Sequence, residues 1–111
     1  MSTVKISDEA YKRLVAKHYE SNESLSKIAS RIVVENANVD KIVEVLENSE
    51  DLLKGSRPIG LYDDAREVVK KLVKDVSERF DFNRKVTKKD VVSAIILYSL
   101  SSVSYTHLTL P

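Results

Sequence analysis

Cysteine is absent from this chain of 111 residues, and so is tryptophan. Without a thiol there is no disulfide framework, no thiolate zinc site and no cysteine nucleophile. Glycine and proline occur twice each, too sparsely for a phosphate-cradling loop such as GxxxxGK[ST] or GxGxxG. No apolar run approaches the roughly 20 residues of a membrane span. No charged-then-apolar leader opens the chain, so a cytoplasmic address is expected. An excess of either charge is missing as well: 18 Lys and Arg stand against 17 Asp and Glu, for a formal +1. That balance excludes a polycation that coats nucleic acid in bulk, but it leaves room for a local basic face. What remains is 42% hydrophobic and 32% charged, the profile of a folded, helix-rich protein of one domain or of two small units sharing a core.

The final nine residues, Val103-Ser-Tyr-Thr-His-Leu-Thr-Leu-Pro111, carry no charge. They resemble an in-frame translation of a sequencing-library adapter, which implies a metagenomic read end and a native C-terminus that lies elsewhere. Such a segment is set aside from fold reasoning. His18 is then the one native histidine and Pro58 the one native proline. A lone histidine without a metal-spaced carboxylate pair supports neither a Ser/His/Asp set nor a metal site. No enzymatic activity, cofactor or metal is expected.

Both glycines and Pro58 fall within Gly55-Ser-Arg-Pro-Ile-Gly60, the strongest internal punctuation. Charge divides there, with residues 1–55 at net −2 and residues 56–102 at net +3, recovering the formal +1. Before the junction, Thr3-Val4-Lys5-Ile6 alternates like a short strand, and Ser7-Asp8-Glu9 supplies a helix cap with acids in the first turn. A first helix places Ala10, Tyr11, Leu14, Val15 and His18 on one face. After Ser21-Asn22-Glu23-Ser24, a second carries Leu25, Ile28, Ala29, Ile32 and Val33 at helical spacing. A third, acidic helix starts at Val39 and is expected to run through Leu52 to Leu53.

Beyond the junction the opening pattern returns. Ile59-Gly60-Leu61-Tyr62-Asp63-Asp64-Ala65 lies over Val4-Lys5-Ile6-Ser7-Asp8-Glu9-Ala10. A helix with Val68, Val69, Leu72, Val73, Val76 and Phe80 follows. A basic turn then leads to Thr87-Lys88-Lys89-Asp90, a capping box, and to a last apolar helix. Ser24, Ile28 and Ile32 correspond to Thr87, Val91 and Ile95.

Strand, capped helix, polar turn and capped apolar helix together resemble the ribbon–helix–helix family of DNA-binding proteins. The first copy, Thr3-Val-Lys-Ile-Ser-Asp-Glu-Ala-Tyr-Lys-Arg-Leu with Glu23-Ser-Leu-Ser-Lys-Ile-Ala-Ser-Arg-Ile, is similar to antitoxins of that class. The second, through Val86-Thr-Lys-Lys-Asp-Val-Val-Ser-Ala-Ile, is similar to plasmid copy-control repressors. The expected fold is mainly α with a short β-ribbon and about five helices, built from tandem ribbon–helix–helix-like units. Unit 1 spans 1–37, an acidic connector 38–56, unit 2 57–102 and the artefactual tail 103–111. All-α and histone-like architectures are the alternatives. Arg84-Lys85-Val86-Thr87-Lys88-Lys89-Asp90 also resembles an archaeal histone loop, although the helix before it is about two turns short for that fold. Pro58 and Gly60 depart from good strand composition, and the acidic helix has no counterpart in the minimal unit.

The resemblance implies a transcriptional regulator that inserts a ribbon into the major groove of double-stranded DNA. It acts as a pseudo-dimer within one chain or as a homodimer, and in an antitoxin-like form it also binds a toxin or other protein. With Val4 and Ile6 turned to the core, Thr3 and Lys5 face outward as base-contacting candidates, and Tyr62 joins them from the second copy. Ser24 and Thr87, capping the second helix of each copy, are candidates for phosphate contact, with Arg84, Lys85, Lys88 and Lys89 supplying charge. Ordinary caps and solvated lysines account for the same residues without DNA. A helical protein–protein interaction module is the rival from another functional class.

Overall fold

A computed structural model describes residues 2–80 and 85–100. Arg84 and the adapter-like tail therefore lie outside the described residues. The chain runs through β1 (Ser2–Ile6), α1 (Asp8–Ser21), α2 (Leu25–Glu35), α3 (Val39–Asn48), a 3-10 turn (Glu50–Leu53), β2 (Arg57–Leu61), α4 (Asp63–Arg79) and α5 (Lys88–Ser99). It is mainly helical with one short antiparallel sheet, so the all-α alternative does not hold.

Local chemistry sets most of the boundaries. The Ser7 hydroxyl accepts from the Ala10 amide, and Asn22 closes α1 in the left-handed region at φ 64°. Ser24 and Asn38 cap α2 and α3 by accepting from the amides of Lys27 and Lys41. Thr87 and Asp90 form a reciprocal capping box at the head of α5. One boundary differs from the sequence expectation: α3 stops at Asn48, and Leu52 and Leu53 belong to the separate 3-10 turn.

The two strands pair with each other, with Thr3 opposite Gly60, Val4 opposite Ile59 and Lys5 opposite Pro58. Val4 and Ile59 are equivalents in the sequence repeat, and here they face one another. The register is that of a two-fold relation passing between them. Helix packing follows the same relation: α2 lies against β2 and α4, while α5 lies against β1 and α1. Each second helix thus serves the other copy's strand and first helix.

Two buried serines express this exchange in hydrogen bonds. The amide of Ser7, just past β1, donates to Ser93 Oγ of α5 at 2.9 Å. The amide of Tyr62, just past β2, donates to Ser30 Oγ of α2 at 3.0 Å. Ser30 and Ser93 each stand six residues after their helix caps, Ser24 and Thr87. The Ser7–Ser93 bond is fully buried, whereas the Tyr62 end borders solvent. Ser93→Ala should therefore cost about 1–3 kcal/mol by stranding a buried amide. Ser30→Ala should cost less, since water can replace the lost oxygen. Urea denaturation of both variants measures the difference, and equal costs would contradict the unequal burial.

One hydrophobic core spans both copies and the connector. Its axis is α5, in which every residue from Val91 to Leu97 is buried. A helix apolar all round must be enclosed, and α5 is met by β1, α1, α2, α3, α4 and the 3-10 turn. The Tyr98 hydroxyl donates to the Asn36 carbonyl, tying the end of α5 to the turn before α3. Burial pushes that hydroxyl's pKa up to about 12.

The connector breaks the two-fold relation. It covers α5 with α3 and the 3-10 turn and leaves the matching side of α2 open. Leu97 is accordingly 3% exposed, while its counterpart Val34 is 42% exposed. Gly55 closes the connector with φ +91°, where a Cβ would strike the Asp8 carboxylate. Beside it the Asp8 amide donates to the Lys54 carbonyl at 2.9 Å.

Candidate functional site

Strand alternation gives the ribbon two faces. Val4, Ile6, Ile59 and Leu61 are buried in the core, whereas Thr3, Lys5 and Pro58 are exposed and Gly60 is half-buried. The outward row therefore consists of Thr3 across from Gly60 and Lys5 across from Pro58. Hydrogen-bonding side chains in this row come from β1 alone. Thr3 offers a hydroxyl and a methyl; Lys5 offers three N–H donors on a flexible stem.

Tyr62 does not complete the row. It lies one residue beyond β2, as the residue that precedes α4. There it borders a shallow groove of about 290 Å³ together with Lys27, Ser30, Arg31, Val34, Glu35 and Asp64. Tyr62 is 41% exposed, so the groove has an aromatic wall beside Val34 and charges of both signs at its rim.

The ends of the ribbon hold residues that sequence reasoning passed over. The Arg57 guanidinium lies 5.6 Å from the centre of the Tyr11 ring and meets the Asp8 carboxylate at 3.3 Å. At the related end, Arg66 donates to Ser2 Oγ at 2.9 Å. Arg57 and Ser2 occupy corresponding positions of the two strands, as do Arg66 and Tyr11 of the two helices. The repeat carried a signal for this pairing, but an arginine opening a strand and another on a polar helix face do not show it singly.

The heads of the two second helices differ electrically. At α2, the exposed Ser24 cap follows Glu23, whose carboxylate is held by both guanidinium nitrogens of Arg31 at 2.8 and 2.9 Å and lies 3.5 Å from Lys27. Hydrogen bonding to Arg31 holds the Glu23 carboxyl below its ordinary range. Glu23 thereby engages the two cations nearest this helix head, Lys27 and Arg31. At α5, Lys85 and Lys88 are exposed, and Lys89 is half-buried around the Thr87 cap. Asp90 turns inward to the capping box, accepting from the Thr87 amide at 3.2 Å. The Asp90 amide donates to Thr87 Oγ1 at 3.3 Å, so the amides of Lys88 and Lys89 and the Thr87 O–H are the donors that face an anionic oxygen at this helix head.

The structure thus gathers Thr3 and Lys5 on one surface and links the end of their strand to the helix headed by Thr87, through Ser7 and Ser93. It places Ser24 on the helix bound to β2 instead. Among the described residues, no group of His, Asp and Glu could hold a metal ion, and no helix is long and apolar enough to cross a membrane. No protein-family model matches the chain, and no match was found among curated proteins or solved structures.

Proposed function

We propose that this protein is a sequence-specific, double-stranded DNA-binding regulator of transcription that presents the β1/β2 ribbon to the major groove. One observation carries the reading: two repeated strand–helix–helix units exchange helices within one chain and expose a two-stranded ribbon bearing Thr3 and Lys5. A ribbon of two antiparallel strands fits the major groove, where a lysine donates to guanine O6 and N7 and a threonine meets a base edge or a thymine methyl. The α5 head, with Thr87, Lys85, Lys88 and Lys89, supplies phosphate contacts that set register without reading sequence.

Lys5→Ala is the direct test. Gel-shift titration of the variant should show preference for its selected duplex over random duplex reduced by about 1–3 kcal/mol, with random-duplex binding weakened far less. Equal losses on both duplexes would make Lys5 a phosphate contact and remove the ribbon from sequence reading. A second reading, favoured by the groove that exposes Val34 and Tyr62, is a helical protein-interaction module. The two readings combine in an antitoxin-like regulator, where the ribbon takes DNA and the groove a protein. Under the interaction reading alone, K5A keeps its partner and no duplex is bound.

A further inference from the structure

We infer that the duplex element this protein recognises lacks two-fold symmetry, and that one chain reads it through β1 alone. The inference rests on the proposed reading of the ribbon as a DNA-contacting surface and specifies what that surface selects. When two identical chains form a ribbon, every outward side chain is repeated across the two-fold axis, so the recognised site is palindromic. Here the axis passes between Val4 and Ile59. Pro58 is the counterpart of Thr3, and Gly60 the counterpart of Lys5. Proline offers a ring without a donor or acceptor, and glycine offers no side chain at all. The row therefore has the backbone of a symmetric reader and the hydrogen-bonding chemistry of one strand.

Thr3 and Lys5 are two residues apart on β1, about 7 Å along the strand. That matches roughly two base-pair steps at about 3.4 Å each. Their readout is a short element: a guanine for Lys5, with a nearby base edge or thymine methyl for Thr3. The flanks carry the same bias. Lys88 and Lys89 at the head of α5 correspond to Leu25 and Ser26 at the head of α2, where the nearby cations Lys27 and Arg31 are both engaged by Glu23. Because β1 packs on α5, the reading strand and the basic helix head belong to the same half of the molecule. The half built from β2 and α2 offers no side-chain donor in the outward row, and its helix-head cations are already paired.

Selection of the full chain on duplexes with randomised central base pairs, followed by sequencing, tests this. The expected product is a short consensus without dyad symmetry, bound at one chain per duplex. Gly60→Lys supplies the missing counterpart of Lys5 at a position whose backbone is not left-handed. With folding checked by circular dichroism, G60K should gain about tenfold on a palindrome built from the selected element, relative to the unmodified chain. A palindromic consensus from the unmodified chain, or G60K folded but without gain on the palindrome, overturns the inference while leaving DNA binding intact. Binding without any sequence preference overturns it too. Failure to retain any duplex at low salt overturns the underlying DNA reading along with it.

Discussion

Replacing Ile95 with Ala should destabilise the protein by about 2–5 kcal/mol, through lost transfer free energy and the cavity left behind. Ile95 is fully buried on α5, the helix that packs on β1, on the helices of both copies and on the connector. A domain of this size has roughly 5–15 kcal/mol in all, so the variant stands near the limit of folding. Its Tm should fall by roughly 10–30 °C. Val34→Ala provides the contrast. Val34 is 42% exposed on α2, and its replacement should change stability by no more than about 0.5 kcal/mol. Paired thermal and urea unfolding of the two variants decides the matter; a loss below about 1 kcal/mol at Ile95 would mean that α5 is not the axis of the core.

The second large effect concerns salt. If the ribbon and the α5 head meet about five phosphates, log affinity should fall against log salt with a slope of roughly −4 to −5. Between about 50 and 200 mM monovalent salt this amounts to a loss of about 10²–10³-fold. Lys88 and Lys89 are the most economical pair to remove, because they flank the Thr87 cap and neither takes part in the capping box formed by Thr87 and Asp90. Replacing both with Gln should flatten the slope by nearly two. It should do so about equally on selected and random duplex, since phosphate contacts carry no base information. A slope near zero for the unmodified chain would remove electrostatic DNA binding, and with it the role given to this helix head.

The near-neutral composition hid that polarity, yet the residues that create it were legible. Alternation in Thr3-Val4-Lys5-Ile6 predicted β1 and its outward pair. The caps at Ser7, Ser24 and Thr87 fell where the structure has them, because a cap depends on its own turn and little else. The second strand was harder to read, since Pro58 and Gly60 argue locally against one. In a two-stranded ribbon every second N–H points away from the partner strand, so proline is tolerated there, and pairing with β1 overrides the weak propensity. Tyr62 was placed with the outward row by the repeat, but the strand ends at Leu61 and the chain turns into α4.

Three features were invisible for a common reason: they depend on contacts between distant segments. Ser30 and Ser93 read as minor polar interruptions of apolar helices until each is seen receiving an amide from the other copy. The enclosure of α5 on all sides, Leu97 included, follows from where α3 and the 3-10 turn settle. The opening at Val34 and Tyr62 is the converse, the surface that connector does not reach. Periodicity reports which face of a helix is apolar, but not which neighbour will cover it.

The connector, residues 38–56, also changes the reaction order of assembly. Ribbons built from separate chains form by a bimolecular step, and their stability is inseparable from protomer concentration. Here both strands belong to one polymer, and a tether of this kind holds its ends at an effective concentration on the order of millimolar. Formation of the β1/β2 ribbon is therefore first order, and its unfolding midpoint should stay constant on serial dilution. Copy number in the cell then sets only how many ribbons there are, never what fraction of them is assembled.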